Sequence, residues 1–241
     1  MLTTLLAAAG VISAAEMADV ATPFTVYDVT FDRDEIGRMP AAVDAAVWEQ
    51  AEAGNPSVFP LTSYSLVRYV TRTRTLSLVD EKAGMRRAAH LSWSEAAQPH
   101  FGPQLLFDIP RAISSQGAEW RVSLDAAKGD VSISGGIHLW GIAHLVYHED
   151  GTVRCNGTQV ARYAPLRKQS FAFRVNVPDR KVAVFVDGGA TPVVTLDWAR
   201  QENNLHGLRI EGLLPGGHNA NPSSLIVDNI RIVLVKTLGN E

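Results

Sequence analysis

Phe171-Ala172-Phe173-Arg174-Val175-Asn176-Val177-Pro178-Asp179-Arg180-Lys181-Val182-Ala183-Val184-Phe185-Val186-Asp187-Gly188 is the stretch that decides the fold. From Phe171 to Val177 every second residue is a large apolar one, and Val182, Val184 and Val186 repeat the pattern after a break. A period of two is the mark of a strand with one face buried, because successive side chains on extended backbone point to opposite sides. Pro178-Asp179-Arg180 and Asp187-Gly188 supply turn chemistry at both ends of the second run. The two runs therefore read as strands separated by a turn.

The same pattern extends in both directions. Trp120-Arg121-Val122-Ser123-Leu124-Asp125 alternates, as does Val131-Ser132-Ile133, and Leu225 to Val235 is a long run rich in β-branched residues. Lys128-Gly129-Asp130, Glu149-Asp150-Gly151-Thr152 and Leu214-Pro215-Gly216-Gly217 read as turns, and Asp150-Gly151 between alternating runs is a strong hairpin signal. Spacing this close leaves little room for crossover helices, so the sheets should be mostly antiparallel. Only Pro40 to Ala53 and Ser94-Glu95-Ala96-Ala97 invite helix, the second for one turn at most. No low-complexity tract, long linker or solenoid-length repeat interrupts the chain. The expected architecture is all-β, an antiparallel two-sheet β-sandwich, formed as one domain over residues 19–241.

Composition sets limits on function. Of 241 residues, 46% are apolar and 20% charged, an ordinary globular balance. A formal charge of -3 and scattered Lys/Arg residues, apart from short runs such as Arg72, Arg74 and Arg86-Arg87, argue against a nucleic-acid partner. Cys155 is the one cysteine, which excludes an intrachain disulfide and a Cys-based zinc site. Without a His beside it in sequence, it reads as a strand thiol and not as a nucleophile.

Residues 1–18 run from Met1-Leu2-Thr3-Thr4-Leu5-Leu6 to Ser13-Ala14-Ala15 and Met17-Ala18, an apolar core followed by small residues. That is the layout of a signal peptide, too short to span a bilayer, and it carries the expectation of a secreted, periplasmic or cell-surface protein. The missing Lys or Arg before the apolar core leaves an N-terminal helix as the other reading. No other stretch approaches a membrane span, so none is expected in the mature chain.

Three segments, in order, resemble a known family. Val29-Thr30-Phe31-Asp32 with Ile36-Gly37-Arg38-Met39-Pro40 is similar to an opening "DFE…G.LP.GW" strand and loop, with Arg74-Thr75-Leu76-Ser77-Leu78-Val79-Asp80 as the next strand. Tyr147-His148-Glu149-Asp150-Gly151-Thr152-Val153, the Phe171 run and Val184-Phe185-Val186-Asp187-Gly188 resemble a laminin-G-like middle. Ile226-Val227-Asp228-Asn229-Ile230-Arg231-Ile232 resembles the closing "iDNi.i" strand. Together they resemble the concanavalin A-like lectin/glucanase jelly roll of exported bacterial proteins. The segment after Gly37 departs from that pattern, because no Gly-Trp follows Pro40 and Trp48 is distant. The resemblance implies a core containing Phe171, Phe173, Val175, Val182, Val184, Ile230 and Ile232. It also implies sugar binding on a concave sheet face, and a structural calcium between first and last strands held by Asp32 and Asp228. The other reading of Asp228-Asn229 is that it satisfies backbone groups locally.

The densest cluster of chemistry is Ile137-His138-Leu139-Trp140-Gly141-Ile142-Ala143-His144-Leu145-Val146-Tyr147-His148. On one unbroken strand, His138, Trp140, His144 and His148 would share a face. An indole that stacks on sugar C–H groups beside imidazoles that bond hydroxyls suits carbohydrate. Gly135-Gly136 and Gly141 could break the strand, and a slip of one residue turns every side chain over, leaving a buried Trp with surface histidines. Zinc fits poorly, since His144 and His148 would lie roughly 13 Å apart at about 3.3 Å per residue. No E-x-D-x-x-E run supplies the paired carboxylates of a retaining glycosidase. Asp32-Arg33-Asp34-Glu35 and Glu149-Asp150 read as solvated acids. His144, Tyr147, His148 and Arg174 supply the residue types of a polysaccharide lyase without its motif.

The ligand-binding expectation therefore names His138, Trp140, His144 and Arg174, and the metal expectation Asp32 and Asp228. The first functional reading is an exported, non-catalytic carbohydrate-binding or cell-surface accessory module whose partner is a glycan or polysaccharide. The second is a glycoside hydrolase or polysaccharide lyase on the same scaffold, and the third a structural or protein-interaction domain without a small ligand.

Overall fold

The computed structural model describes residues 23–32, 36, 65–67, 76–93, 104–109, 111–129, 135–212 and 223–238. Residues 1–18, Pro40 to Ala53, Ser94 to Ala97, Val131 to Ile133, the Leu214 turn, Arg72, Arg74 and the Gly37 segment lie outside the described residues.

Fifteen strands and one helical turn follow in chain order among the described residues: β1 (Phe24–Val29), β2 (Ser65–Val67), β3 (Leu76–Lys82), β4 (Met85–Trp93), β5 (Gln104–Asp108), α1 (Arg111–Ser114), β6 (Gly117–Lys128), β7 (Gly136–Leu139), β8 (Ala143–Tyr147), β9 (Thr152–Cys155), β10 (Thr158–Arg162), β11 (Gln169–Asn176), β12 (Lys181–Val186), β13 (Val194–Asp197), β14 (Gly207–Glu211) and β15 (Ser223–Thr237). They form two sheets in which every recorded pairing is antiparallel. The first runs β13-β12-β11-β6-β15-β4-β3, with β1 also on β15, and the second runs β10-β9-β8-β7-β14-β5-β2. The protein is an all-β, antiparallel two-sheet β-sandwich.

The Phe171 run forms β11 and the Val182 run β12, paired in register from Phe171↔Val186 to Asn176↔Lys181. Arg180, at φ 52°, closes the turn between them. All seven residues expected in the core are buried, and they meet Leu139, Leu145, Tyr147 and Leu208 from the other sheet in one apolar cluster. Each such side chain contributes about 1.5–3 kcal/mol on leaving water, which makes the inner faces the main source of stability.

The closing strand explains how one segment serves two neighbours. β15 pairs β4 through Ser223 to Val227 and β1 through Ile230 to Leu234. Between them Asn229 takes φ 52°, and the register against β6 shifts between Asp228 and Arg231. That bulge bends the strand and turns Ile230 and Ile232 back to the core. Asp150-Gly151 does make the β8–β9 hairpin, with Gly151 at φ 75° and the Asp150 carboxylate accepting the Thr152 N–H at 2.9 Å.

Candidate functional site

Along the second sheet, Ile137, Leu139, Leu145, Tyr147, Leu208 and Ile210 point into the sandwich, so the residues between them point out. The outward residues line up across strands. Leu106 lies opposite Arg209, Arg209 opposite His138, and His138 opposite His144. The next row places Glu211 opposite Gly136, Gly136 opposite Val146, and Val146 opposite Arg154.

His138 and His144 thus share a face, though not through one long strand. The chain reverses at Trp140-Gly141-Ile142, where Gly141 adopts φ 73° and the Ile142 N–H donates to the Leu139 carbonyl at 2.7 Å. Of the two alternatives open from the sequence, an unbroken strand or a break at Gly141, the chain takes the break. A hairpin faces the two imidazoles across the β7–β8 pair, their ring centroids 4.5 Å apart and nearly perpendicular at 71°. Trp140 rides on the turn, 43% exposed, with the Arg209 guanidinium carbon 5.9 Å from its ring centre. The turn is fixed from behind: Ala199 and Arg200 donate their N–H groups to the carbonyls of Ile142 (2.9 Å) and Gly141 (2.8 Å).

Beneath this surface lies an acid. Glu211 is 1% exposed, and its Oε1 pairs with Arg209 Nε. Its Oε2 faces His138 Nε2 at 4.0 Å, beyond hydrogen-bond length, and among the described residues neither atom has a hydrogen-bond partner. Burial lifts the Glu211 carboxyl to about 7, against the pull of Arg209. Burial, with the charges of His144 and Arg209, pushes His138 down to about 3. Burial and the cations Arg200 and Arg209 lower His144 as well. At neutral pH both imidazoles are uncharged, each with one N–H and one lone pair for hydroxyl groups.

The other expected residues separate. Arg174 belongs to β11 in the opposite sheet, exposed and bonded through Nε to Glu119 Oε1 at 2.7 Å, so it does not join the histidines. Tyr147 points into the core against Phe171, with ring centres 6.4 Å apart, and burial raises its hydroxyl well above the usual phenol range. A lyase built on Tyr147 and Arg174 is not assembled here. Cys155 is buried in β9 and its thiol is pushed up to about 12 by burial, which makes it a core residue.

Asp32 and Asp228 do approach each other, and burial together with the charges of Asp32 and Asp125 raises the Asp228 carboxyl. Their oxygens already have other partners. Asp228 accepts the Asn229 N–H at 2.7 Å, Asp32 is paired with Arg86 Nε at 3.1 Å, and Asp125 is held by Ser170, Lys168 and Asn229. Among the described residues no group of three His, Cys, Asp or Glu side chains converges as metal ligands.

Arg209 and Glu211 are absent from the residues expected from sequence. Gly207-Leu208-Arg209-Ile210-Glu211 alternates and could have been read as a strand, but its polar members belong to no motif, and their register partners His138 and Gly136 lie far away along the chain.

No family model matches the sequence, and no curated protein sequence does either. Solved structures do share the fold. The catalytic domain of the glycoside hydrolase family 131 protein from Coprinopsis cinerea is 12% identical, with a TM-score of 0.59 over 90% of this chain and 98% of that one. The family 131 β-glucanase catalytic domain from Podospora anserina is 12% identical, with a TM-score of 0.56 over 87% and 95%. A sialidase is 14% identical with a TM-score of 0.53 over 71% of this chain, which corresponds to only 17% of the sialidase. At these identities the likeness shows the architecture.

Proposed function

We propose that the protein binds carbohydrate through the outward face of its second sheet, at Trp140, His144 and Arg209, with His138 behind them. The observation that carries this reading is the exposed Trp140 indole, held on a braced turn beside an Arg and a row of neutral imidazoles. An aromatic plane supplies a stacking surface for a sugar ring, and the neighbouring polar groups bond its hydroxyls. Fold neighbours described as glycoside hydrolases support the reading at the level of architecture. The test is affinity electrophoresis of the full chain in a panel of neutral and acidic polysaccharides. Retardation in at least one gel, lost about tenfold or more in Trp140→Ala, is the expected result. Retardation that is indifferent to Trp140, or absent throughout, would remove the proposal.

One observation favours an enzyme on the same face. Glu211 Oε2, without a hydrogen-bond partner among the described residues, looks across from the neighbouring row at His138 Nε2, and its carboxyl is raised to about 7, the range suited to a general acid. New reducing ends, or the absorbance of unsaturated uronates, released from the same panel and lost in Glu211→Gln would establish that second reading in place of simple binding.

A further inference from the structure

We infer that the carbohydrate site continues past the Trp140 turn to His206 and Glu202, which together accept hydrogen bonds from two adjacent hydroxyls of a sugar. The inference rests on the carbohydrate-binding reading and adds a second polar subsite to it.

The segment between β13 and β14 is fastened on both sides of these residues. Asn204 is buried, where it accepts the Trp120 indole N–H at 3.0 Å and donates to the Gly117 carbonyl at 2.8 Å. Arg180 donates to the Glu202 carbonyl at 3.2 Å, and the Ile109 N–H to the His206 carbonyl at 2.9 Å. The same segment is joined to the Trp140 turn. The Trp140 N–H donates at 3.2 Å to the carbonyl of Gly207, the residue after His206, and the Glu202 side chain lies against Gly141, where it occupies the space a Cβ would need. Side chains held this firmly lose little freedom on meeting a ligand.

Ser114, at the end of α1, decides which nitrogen of His206 carries the proton. Its hydroxyl has one hydrogen, and the shorter of its two contacts is to the Leu205 carbonyl at 2.8 Å, a group that can only accept. His206 Nδ1, 3.2 Å from the same hydroxyl oxygen, is therefore the donor to it. The neutral imidazole then has its lone pair on Nε2. That nitrogen faces Glu202 Oε2 at 3.9 Å, and both side chains are open to solvent, 45% and 29% exposed. Two acceptors thus stand side by side, and adjacent sugar hydroxyls bring one hydrogen to each. Ser114, His206 and Glu202 also stand in the order of a hydrolase triad. The geometry speaks against that use, because the serine is buried and gives its hydrogen to Leu205, not to the imidazole.

The experiment measures dissociation constants of the full chain for arabinan, β-1,3-glucan, xylan, galactomannan and alginate. Each is set against its O-methylated form, which keeps the rings and loses the hydroxyl hydrogens. Expected is at least one member bound, and bound about tenfold more weakly once methylated. For that member His206→Asn and Glu202→Gln should each weaken binding about tenfold without moving the melting temperature. Asn sets an amide N–H where Nδ1 stands, so the bond to Ser114 is kept and only the Nε2 acceptor is lost. Proton–nitrogen correlation spectra of the imidazoles in alkaline solution should show His206 protonated on Nδ1, with its Nε2 resonance moving as the polysaccharide is added. In Ser114→Ala that tautomer should lose its dominance. Protonation on Nε2 in the parent protein, or binding that collapses in Trp140→Ala yet ignores His206→Asn and Glu202→Gln, would overturn the subsite and leave the carbohydrate reading standing. Absence of binding to every member, or binding indifferent to Trp140→Ala, would overturn both.

Discussion

Two tight turns in this molecule share one geometry and differ in the residue that enters it. Asn156-Gly157 joins β9 to β10 with φ 46° and 83°, and Ala83-Gly84 joins β3 to β4 with φ 58° and 75°. Both are two-residue hairpin loops with positive φ at each position, where Asn-Gly is preferred because Asn tolerates the left-handed region and a plain Cβ does not. Ala83→Asn should therefore stabilise the protein by about 0.5–1 kcal/mol, visible as a higher urea midpoint with unchanged slope. Asn156→Ala should act in the opposite direction and more strongly. Asn156 accepts the His144 N–H at 2.8 Å and donates to the carbonyls of Ile142 at 3.1 Å and Asp197 at 3.2 Å. Losing those bonds at about 1 kcal/mol each, plus the backbone strain, predicts a cost on the order of 2–4 kcal/mol in the same titration.

At the level of elements, the β7–β8 hairpin is what makes a face out of a cluster of residues. Gly141 sustains φ 73°, and a Cβ there would lie 2.1 Å from Glu202 Cγ. Gly141→Ala should cost about 1–2 kcal/mol from φ alone, and displacing Glu202 should move the turn that carries Trp140. Both the melting temperature and the affinity for whichever polysaccharide is retained should fall, whereas Gly188→Ala, at φ 72° but with open space around it, should lower the melting temperature alone. The strands themselves were legible wherever one face is buried and the other wet: Phe171 to Asn176, Lys181 to Val186 and Trp120 to Asp125 announce themselves by alternation. The histidine cluster was legible as a cluster but not as a geometry, because a single glycine decides between continuation and reversal. Arg209 and Glu211 could not be attached to it, since register between β7 and β14 is a property of the sheet and not of either segment. Arg174 misled for the matching reason: alternation says that a side chain leaves the core, not from which of two sheets.

For the molecule as a whole, the buried polar groups set how stability responds to pH, and two of them oppose each other at one place. Glu211 has its carboxyl raised from 4.5 to about 7, mainly by burial, so between those values the folded chain holds a proton that the unfolded chain releases. Stability from this group is complete below about 4.5 and is lost as pH climbs toward 7. His138 is lowered from 6.5 to about 3 by burial and by His144 and Arg209, and His90 from 6.5 to about 4 by burial and Lys82, so there the unfolded chain holds the extra protons. Stability from the histidines is present above about 6.5 and is lost as pH falls toward 3 to 4. Between pH 5 and 6.5 all three slopes act together, two rising and one falling, each worth about 1.4 kcal/mol per pH unit for a fully displaced proton. Glu211→Gln keeps the shape and removes the falling contribution, so its unfolding free energy should rise with pH more steeply than that of the parent protein by on the order of 1 kcal/mol per unit over this window. His138→Gln should flatten the dependence by a similar amount. Denaturant titrations at pH 5, 5.5, 6 and 6.5 read these slopes directly, and parallel lines for the parent and Glu211→Gln would mean that Glu211 is ionised in the folded protein throughout and is not held in the buried setting that the second sheet gives it.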